Sequence, residues 1–255
     1  MEAGAGGERR LDRLAWPDLV GTDGGALPLV VLPLGSTEQH GPHLPAGTDT
    51  TVAVALAAAL AGHRSDVLVA PALAYGASGE HAGFPATVSL GAPVLELAVV
   101  ELVRSLDATA RGGVLLHGPG GYAGAGARAT RLLRSEGRRV LGWAPRPSAP
   151  GRGDLHAGRD ETSLMLHLAP ELVRPDAATA GPSPSPSVPD LVRHGVRALS
   201  PSGVLGDPTG ASADEGARLF NRLRDDLVAA VAAWDAPPPT RAGGPSFRVE
   251  GDRDG

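Results

Sequence analysis

Apolar runs alternate between two lengths along this chain. Short, nearly unbroken ones read as strands buried on both faces: LPLVVLPLG (27–35), DVLVAPAL (66–73), GGVLLHG (112–118) and RRVLGWA (138–144). Between them lie longer segments with helical spacing: TTVAVALAAALAG (50–62), with Asp49 placed as a candidate cap and Gly62 as a candidate end, then APVLELAVVELVRSLDATA (92–110) and AGARATRLLRSEG (125–137). DETSLMLHLA (160–169) and the amphipathic EGARLFNRLRDDLVAAVAAW (215–234) add two more helices. Strand and helix in strict alternation predict an α/β fold, a three-layer α/β/α domain around a mainly parallel sheet. The expected folded unit is a single domain over 11–235. Its Gly-, Pro- and charge-rich flanks, 1–10 and 236–255, are expected to be flexible tails, and GPSPSPSVP (181–189) a surface excursion.

Ligands of open parallel sheets sit beyond the carboxyl ends of the strands. Polar residues concentrate in those places: GSTEQHGPHLPAGTD (35–49) after the first strand, ASGEHAGF (77–84) after the second and HGPGGY (117–122) after the third. Composition narrows what they can do. The 255 residues contain no cysteine, so disulfides and thiolate chemistry are excluded, and a metal must be held by His and carboxylates. A formal net charge of −5, with acidic and basic residues interspersed, supplies no basic stripe for nucleic acid or an anionic membrane. No stretch is long and apolar enough to span a bilayer, and the N-terminus lacks an apolar signal region, so a cytoplasmic protein is expected.

Within the first cluster, Glu38 and His40 are two residues apart in extended chain and so share a face, and Asp49 returns after a Gly/Pro turn. One carboxylate has two oxygens and can bridge two divalent ions. On spacing alone, the stretch reads equally as one wall of a metal site or as a polar loop with Asp49 as a helix cap. A second cluster, GDLHAGRDETS (153–163), places His156 five residues before Glu161, which falls in the first turn of a helix. Alone, it reads as a loop histidine and a helix-dipole partner.

Taken together, Glu38-Gln-His40-Gly-Pro-His43 with Asp49, and His156-Ala-Gly-x-x-Glu161-Thr-Ser, resemble the creatininase family of metal-dependent amidohydrolases, from about Leu32 to Trp234. SGEHAGFPATVSL (78–90) is similar to that family's Glu-His-x-x-Phe-Pro-Gly-Thr segment, with Ala86 where Gly is usual. HAGRDETSLML, SPSGVLGDPTGASADEG (200–216) and a last helix ending in Trp234 resemble the branch of the family that serves mycofactocin maturation. That resemblance implies a peptidase that cuts a modified precursor peptide to free its C-terminal Val-Tyr-derived unit. Elsewhere in the family the implied substrate is a small cyclic or formylated amide. It also implies two divalent cations, Fe2+, Zn2+ or Mn2+, and a ring-like homo-oligomer.

By the same resemblance Glu38 binds one metal, His40 the other, and Asp49 bridges them. Glu161 belongs to the second metal or its immediate surroundings, His156 is the acid/base group, and Glu80, His81 and Tyr122 line the substrate side. His43 either orients Glu38 or Asp49 or packs the loop. One segment departs from the family, which carries Asn-Gly-His-Gly-Gly-Asn after the third strand, its His a metal ligand. Here Pro119 takes that position, and His117 stands two residues early. Either a shifted loop brings His117 to the metal, or the first metal lacks a neutral nitrogen donor and the chain binds peptide with an impaired site.

Overall fold

The computed structural model describes residues 10–19, 27–118, 123–146 and 154–236. Four strands, β1 (Leu29–Leu34), β2 (Val67–Val69), β3 (Gly112–His117) and β4 (Val140–Trp143), form one sheet in the order β2-β1-β3-β4. All three pairings are parallel; Leu29 sits opposite Val67 on one side and Gly112 on the other. The helices are α1 (Trp16–Leu19), α2 (Thr48–His63), α3 (Ala92–Arg104), α4 (Ala123–Ser135), α5 (Arg159–Leu168), α6 (Val188–His194), α7 (Val196–Leu199) and α8 (Ala213–Asp235).

This strand order places the helices. The connection from β1 to β2 runs one way across the sheet, whereas those from β2 to β3 and from β3 to β4 run the other, and right-handed crossovers then put α2 on one face and α3 and α4 on the opposite face. The two cores follow. Leu29, Val31, Val114 and Leu116 pack with Val52 and Leu56 of α2, Met165 of α5 and Leu227 of α8. Val30, Leu32 and Leu115 pack with Leu95 and Val99 of α3 and Leu133 of α4. Each strand therefore buries both sets of alternate side chains, which is why the sequence shows continuous apolar runs. The connections leave in opposite directions on either side of the β1–β3 junction, so a crevice opens beyond the carboxyl ends of these two strands.

Several boundaries differ from the periodicity. β2 pairs only over Val67–Val69, because Pro71 cannot donate to a ladder; beyond it Leu73 alone bridges to Leu34. α3 stops at Arg104 and yields to turns over 105–109. The 181–189 segment runs into α6, whose N-cap Ser187 accepts from the Asp190 N–H. Asp49 does not cap α2: it is the second helical residue, Gly47 occupies the cap position, and the carboxylate is turned into the interior. Of the two expected flexible flanks, only Arg10 and Ala236 fall within the described residues.

Candidate metal centre

Ser36, Glu38, His40 and Asp49 all lie within the segment joining β1 to the start of α2, and all are buried. Ser36 Oγ donates to Asp49 Oδ2 at 2.5 Å, which leaves Oδ1 facing His40 Nε2 at 3.4 Å. His40 Nδ1 is 3.0 Å from the Glu38 main-chain carbonyl, which can only accept, so Nδ1 carries the proton and Nε2 is left to the interior. Gly118, just past β3, makes room for this arrangement: a Cβ there would lie 2.8 Å from the Asp49 carbonyl oxygen.

From the far half of the chain comes Glu161, in the first turn of α5. Asp154 accepts the N–H groups of Arg159 and Asp160 and so ties the start of that helix. Ala157 holds a left-handed backbone, φ +51°, and its N–H donates to Glu161 Oε2 at 2.6 Å. A non-glycine residue adopts that conformation at a cost, here while aiming a donor at a buried carboxylate. Glu161 Oε2 reaches to 3.9 Å from His40 Nε2. His156 packs its ring against His40 and His81, with centroids 4.3 and 4.4 Å apart, and its Nε2 is 2.7 Å from the Gln39 carbonyl. That bond requires the proton on Nε2, so Nδ1 is the bare atom, 3.9 Å from Glu38 Oε1.

Three groups of donors thus converge, each with its atoms within 4.8 Å of one another: Glu38, His40 and Asp49; His40, His156 and Glu161; and Glu38, His81 and His156. Both Glu38 oxygens, Asp49 Oδ1 and His40 Nε2 are buried without a hydrogen-bond partner among the described residues. Native interiors rarely leave acceptors so. Protonation carries the strain. Burial, then the charge of Asp49, pushes Glu38 up to about 7, and burial pushes Glu161 up to about 8, with Asp49 adding to it. Burial opposes charging His40, yet Asp49, Glu161 and Glu38 outweigh it and raise it to about 10. Burial, reinforced by His40, lowers His81 to about 4 and takes His156 well below its ordinary value. A carboxylate-rich pocket that must borrow protons, with unpartnered oxygens and a bare imidazole nitrogen aimed at one space, fits divalent cations.

Not every expected residue joins. His117 belongs to none of these groups among the described residues. Its strand position shares a face with Leu115, toward α3 and α4, whereas Asp49 and Glu161 come from helices on the other face. Its ring lies beside α4, where a Cβ on Gly126 would come 2.0 Å from Cε1. The expectation that it replaces the missing ligand is corrected by strand parity. His43 turns its Nε2 to Thr162 Oγ1 at 2.9 Å, next to Glu161, and among the described residues it makes no hydrogen bond to Glu38 or Asp49. Glu80 is outside the donor groups, although its charge adds to the upward shift of Glu38. Ala86 has φ +66°, which is why glycine suits that position. Pro119 and Tyr122 lie outside the described residues. The sequence reading missed Ser36, Gln39, Asp154 and Thr162. Their only local sign is adjacency to a donor or, for Asp154, a place just before a helix.

Fold and site together define the class, an α/β/α protein with a buried carboxylate and histidine centre suited to divalent cations. The creatininase family model, described as creatinine amidohydrolase, matches residues 12–231, and the chain belongs to this family of metal-dependent amidohydrolases. A relative from Mycobacterium tuberculosis named "Mycofactocin precursor peptide peptidase" is 49% identical over 222 residues, covering 83% of this chain and 87% of its own. A solved structure titled "Creatininase Mn" superposes with a TM-score of 0.73 at 26% identity, covering 91% of this chain and 100% of the other. A mutant creatininase titled as "Zn-Zn type" matches with the same TM-score of 0.73, the same 26% identity and the same 91% and 100% coverage.

Proposed function

We propose that this protein is a metal-dependent peptidase that cleaves the modified mycofactocin precursor peptide and releases its C-terminal Val-Tyr-derived unit. The observation that carries the reading is the set of unpartnered donor atoms on Glu38, His40 and Asp49, with Glu161 beside them, in a chain so similar to a relative named for that reaction. In this reading Glu38, His40, Asp49 and Glu161 would hold the cations, Glu38 for one, His40 with Glu161 for the other, and Asp49 would serve both. When bound, divalent ions lower the pKa of water toward neutrality and polarise the scissile carbonyl. The solved creatininases named for Mn and for Zn make Mn2+ and Zn2+, rather than Fe2+, the first ions to try.

The chain's own groups do the rest. Ser36 holds Asp49 by one oxygen and so keeps the other turned inward. His156, neutral in its buried setting and with Nδ1 bare, takes up a proton and hands it to the departing amine nitrogen. Glu80, His81 and Tyr122 are proposed to meet the peptide. We also propose a cytoplasmic location and a homo-oligomer, for which exposed Val94 and Leu97 on α3 offer an apolar contact surface.

The test is incubation of the metal-loaded protein with modified precursor, read by mass spectrometry. Release of the C-terminal fragment is expected. Turnover of only a small cyclic or formylated amide would sink the peptidase reading. A second reading, a peptide-binding member with an impaired centre, draws on Pro119 in the family's ligand position and on His117 facing α4. Metal analysis separates the two: about two equivalents per chain supports the enzyme, and none after reconstitution supports the binder.

A further inference from the structure

Gln39 lies between the two donors Glu38 and His40, and its side chain runs the opposite way, to the histidines. Its amide orientation is settled by two main-chain groups. The Gly41 N–H donates to Oε1 at 2.8 Å, and Nε2 donates to the Gly203 carbonyl at 3.1 Å. Reversing the amide would set donor against donor and acceptor against acceptor. Gly203 is shaped for this contact: it has φ +83°, and a Cβ there would lie 1.9 Å from Oε1. The second hydrogen of Nε2 then has one well-placed acceptor, His81 Nδ1 at 2.8 Å. His156 Nε2, at 3.2 Å, cannot be that acceptor because its own proton goes to the Gln39 carbonyl at 2.7 Å.

We infer that Gln39 is a positioning residue that fixes opposite tautomers on the two neighbouring histidines: His81 presents Nε2–H to the centre, and His156 presents a bare Nδ1. His81 Nε2 and His156 Nδ1 face the same oxygen, Glu38 Oε1, at 3.6 and 3.9 Å. The pair therefore divides the work. His81 presents its Nε2–H as a donor for a peptide carbonyl oxygen that gains negative charge, and is not a metal ligand. His156 alone of the two can accept a proton. The group of Glu38, His81 and His156 is then no third cation site, although its spacing would allow one. The inference deepens the peptidase reading and rests on it only for the role given to the donated hydrogen bond; the tautomers themselves are independent of substrate.

The experiment is long-range 1H–15N NMR of the metal-free, full-length protein labelled at histidine nitrogens, with a His81→Gln variant to assign the resonances. His81 is expected to show a pyridine-type Nδ1 and a pyrrole-type Nε2. A pyrrole-type Nδ1 on His81, or two protonated nitrogens, would overturn the inference. Gln39→Glu, whose ionised carboxylate only accepts, should reverse the pattern at pH 8, and kcat for the precursor should fall by about 10²-fold with KM within about twofold. An unchanged pattern in that variant overturns the inference. Gln39→Met, which removes the donor, should let His81 average between tautomers. Should Gln39→Glu fail to fold, the wild-type spectrum still decides. If the predicted spectrum appears and the precursor is not cut, the peptidase reading falls while the tautomer assignment stands.

Discussion

The two ends of the parallel sheet both gather charged side chains, and they treat them in opposite ways. At the amino end, Arg64, Asp66, Arg111, Arg139 and Asp235 form a closed network. Arg111 bonds Asp235 and Asp66 at 2.5 Å each, and Arg64 reaches both at 2.7 Å. Arg139 joins Asp235 at 3.2 Å and lies over the Trp234 ring. Every carboxylate there has guanidinium partners, and those of Asp235 hold it far below the usual range. At the carboxyl end, Glu38, Asp49 and Glu161 crowd together, and among the described residues no arginine pairs with them and both Glu38 oxygens and Asp49 Oδ1 lack hydrogen-bond partners. Paired charges at the rim clamp the last helix to the sheet. Unpaired acceptors in the interior weaken the metal-free fold, and their arrangement fits divalent cations.

The largest effect should come from Glu38→Gln. Precursor cleavage is expected to fall about 10³-fold, with loss of bound metal, because one donor loses its charge. The metal-free variant at pH 8 should nevertheless be more stable than the parent by about 1 kcal/mol, since a buried uncompensated carboxylate is gone. Loss of stability in urea unfolding would place Glu38 on the structural side of the comparison instead.

The pH dependence comes next. Glu38, raised to about 7, and Glu161, raised to about 8, hold protons in the folded chain that the unfolded chain gives up near 4.5; His40, raised to about 10, does the same above 6.5. Stability contributed by these protons is full below the unfolded values and is lost as pH rises through the folded ones. His81, lowered to about 4, and His156 act oppositely, adding stability as pH climbs from about 4 to 6.5. Above pH 6.5 only the loss remains. The metal-free protein should therefore lose stability steadily between pH 6.5 and 8.5, by up to about 1.4 kcal/mol per pH unit for each proton it still holds. Mn2+ or Zn2+ should abolish that fall, and a flat profile without metal would count against the crowded-carboxylate picture.

At the paired end, Asp235→Ala should cost about 1–2 kcal/mol of stability, since three arginines lose their shared acceptor at a half-buried site, while metal content and cleavage per folded molecule stay at the parent level. The smallest change belongs to Arg139→Ala. Its side chain is half exposed, so thermal unfolding should register less than about 0.5 kcal/mol.

Much of this is legible in the sequence itself. Alternating apolar runs of two lengths determined a parallel sheet with helices on both faces, and that class of sheet determined which loops carry ligands, because strands buried on both faces have no other use for a polar cluster at their carboxyl ends. Glu38, His40 and Asp49 were readable because eleven or fewer residues of chain separate them and local geometry suffices to bring them together. The tertiary structure decided the rest. Whether His117 faces Asp49 or α4 depends on strand parity and on which face each crossover helix takes, and a single-residue change of parity reverses the answer. The meeting of Gln39 with His156, 117 residues away, and with the Gly203 carbonyl, 164 away, depends on packing between segments that carry no trace of each other in their local sequence. The same holds for Asp235 and the arginines of three different loops. Period and spacing act over a few residues; the partners of a buried polar atom are chosen by the whole fold.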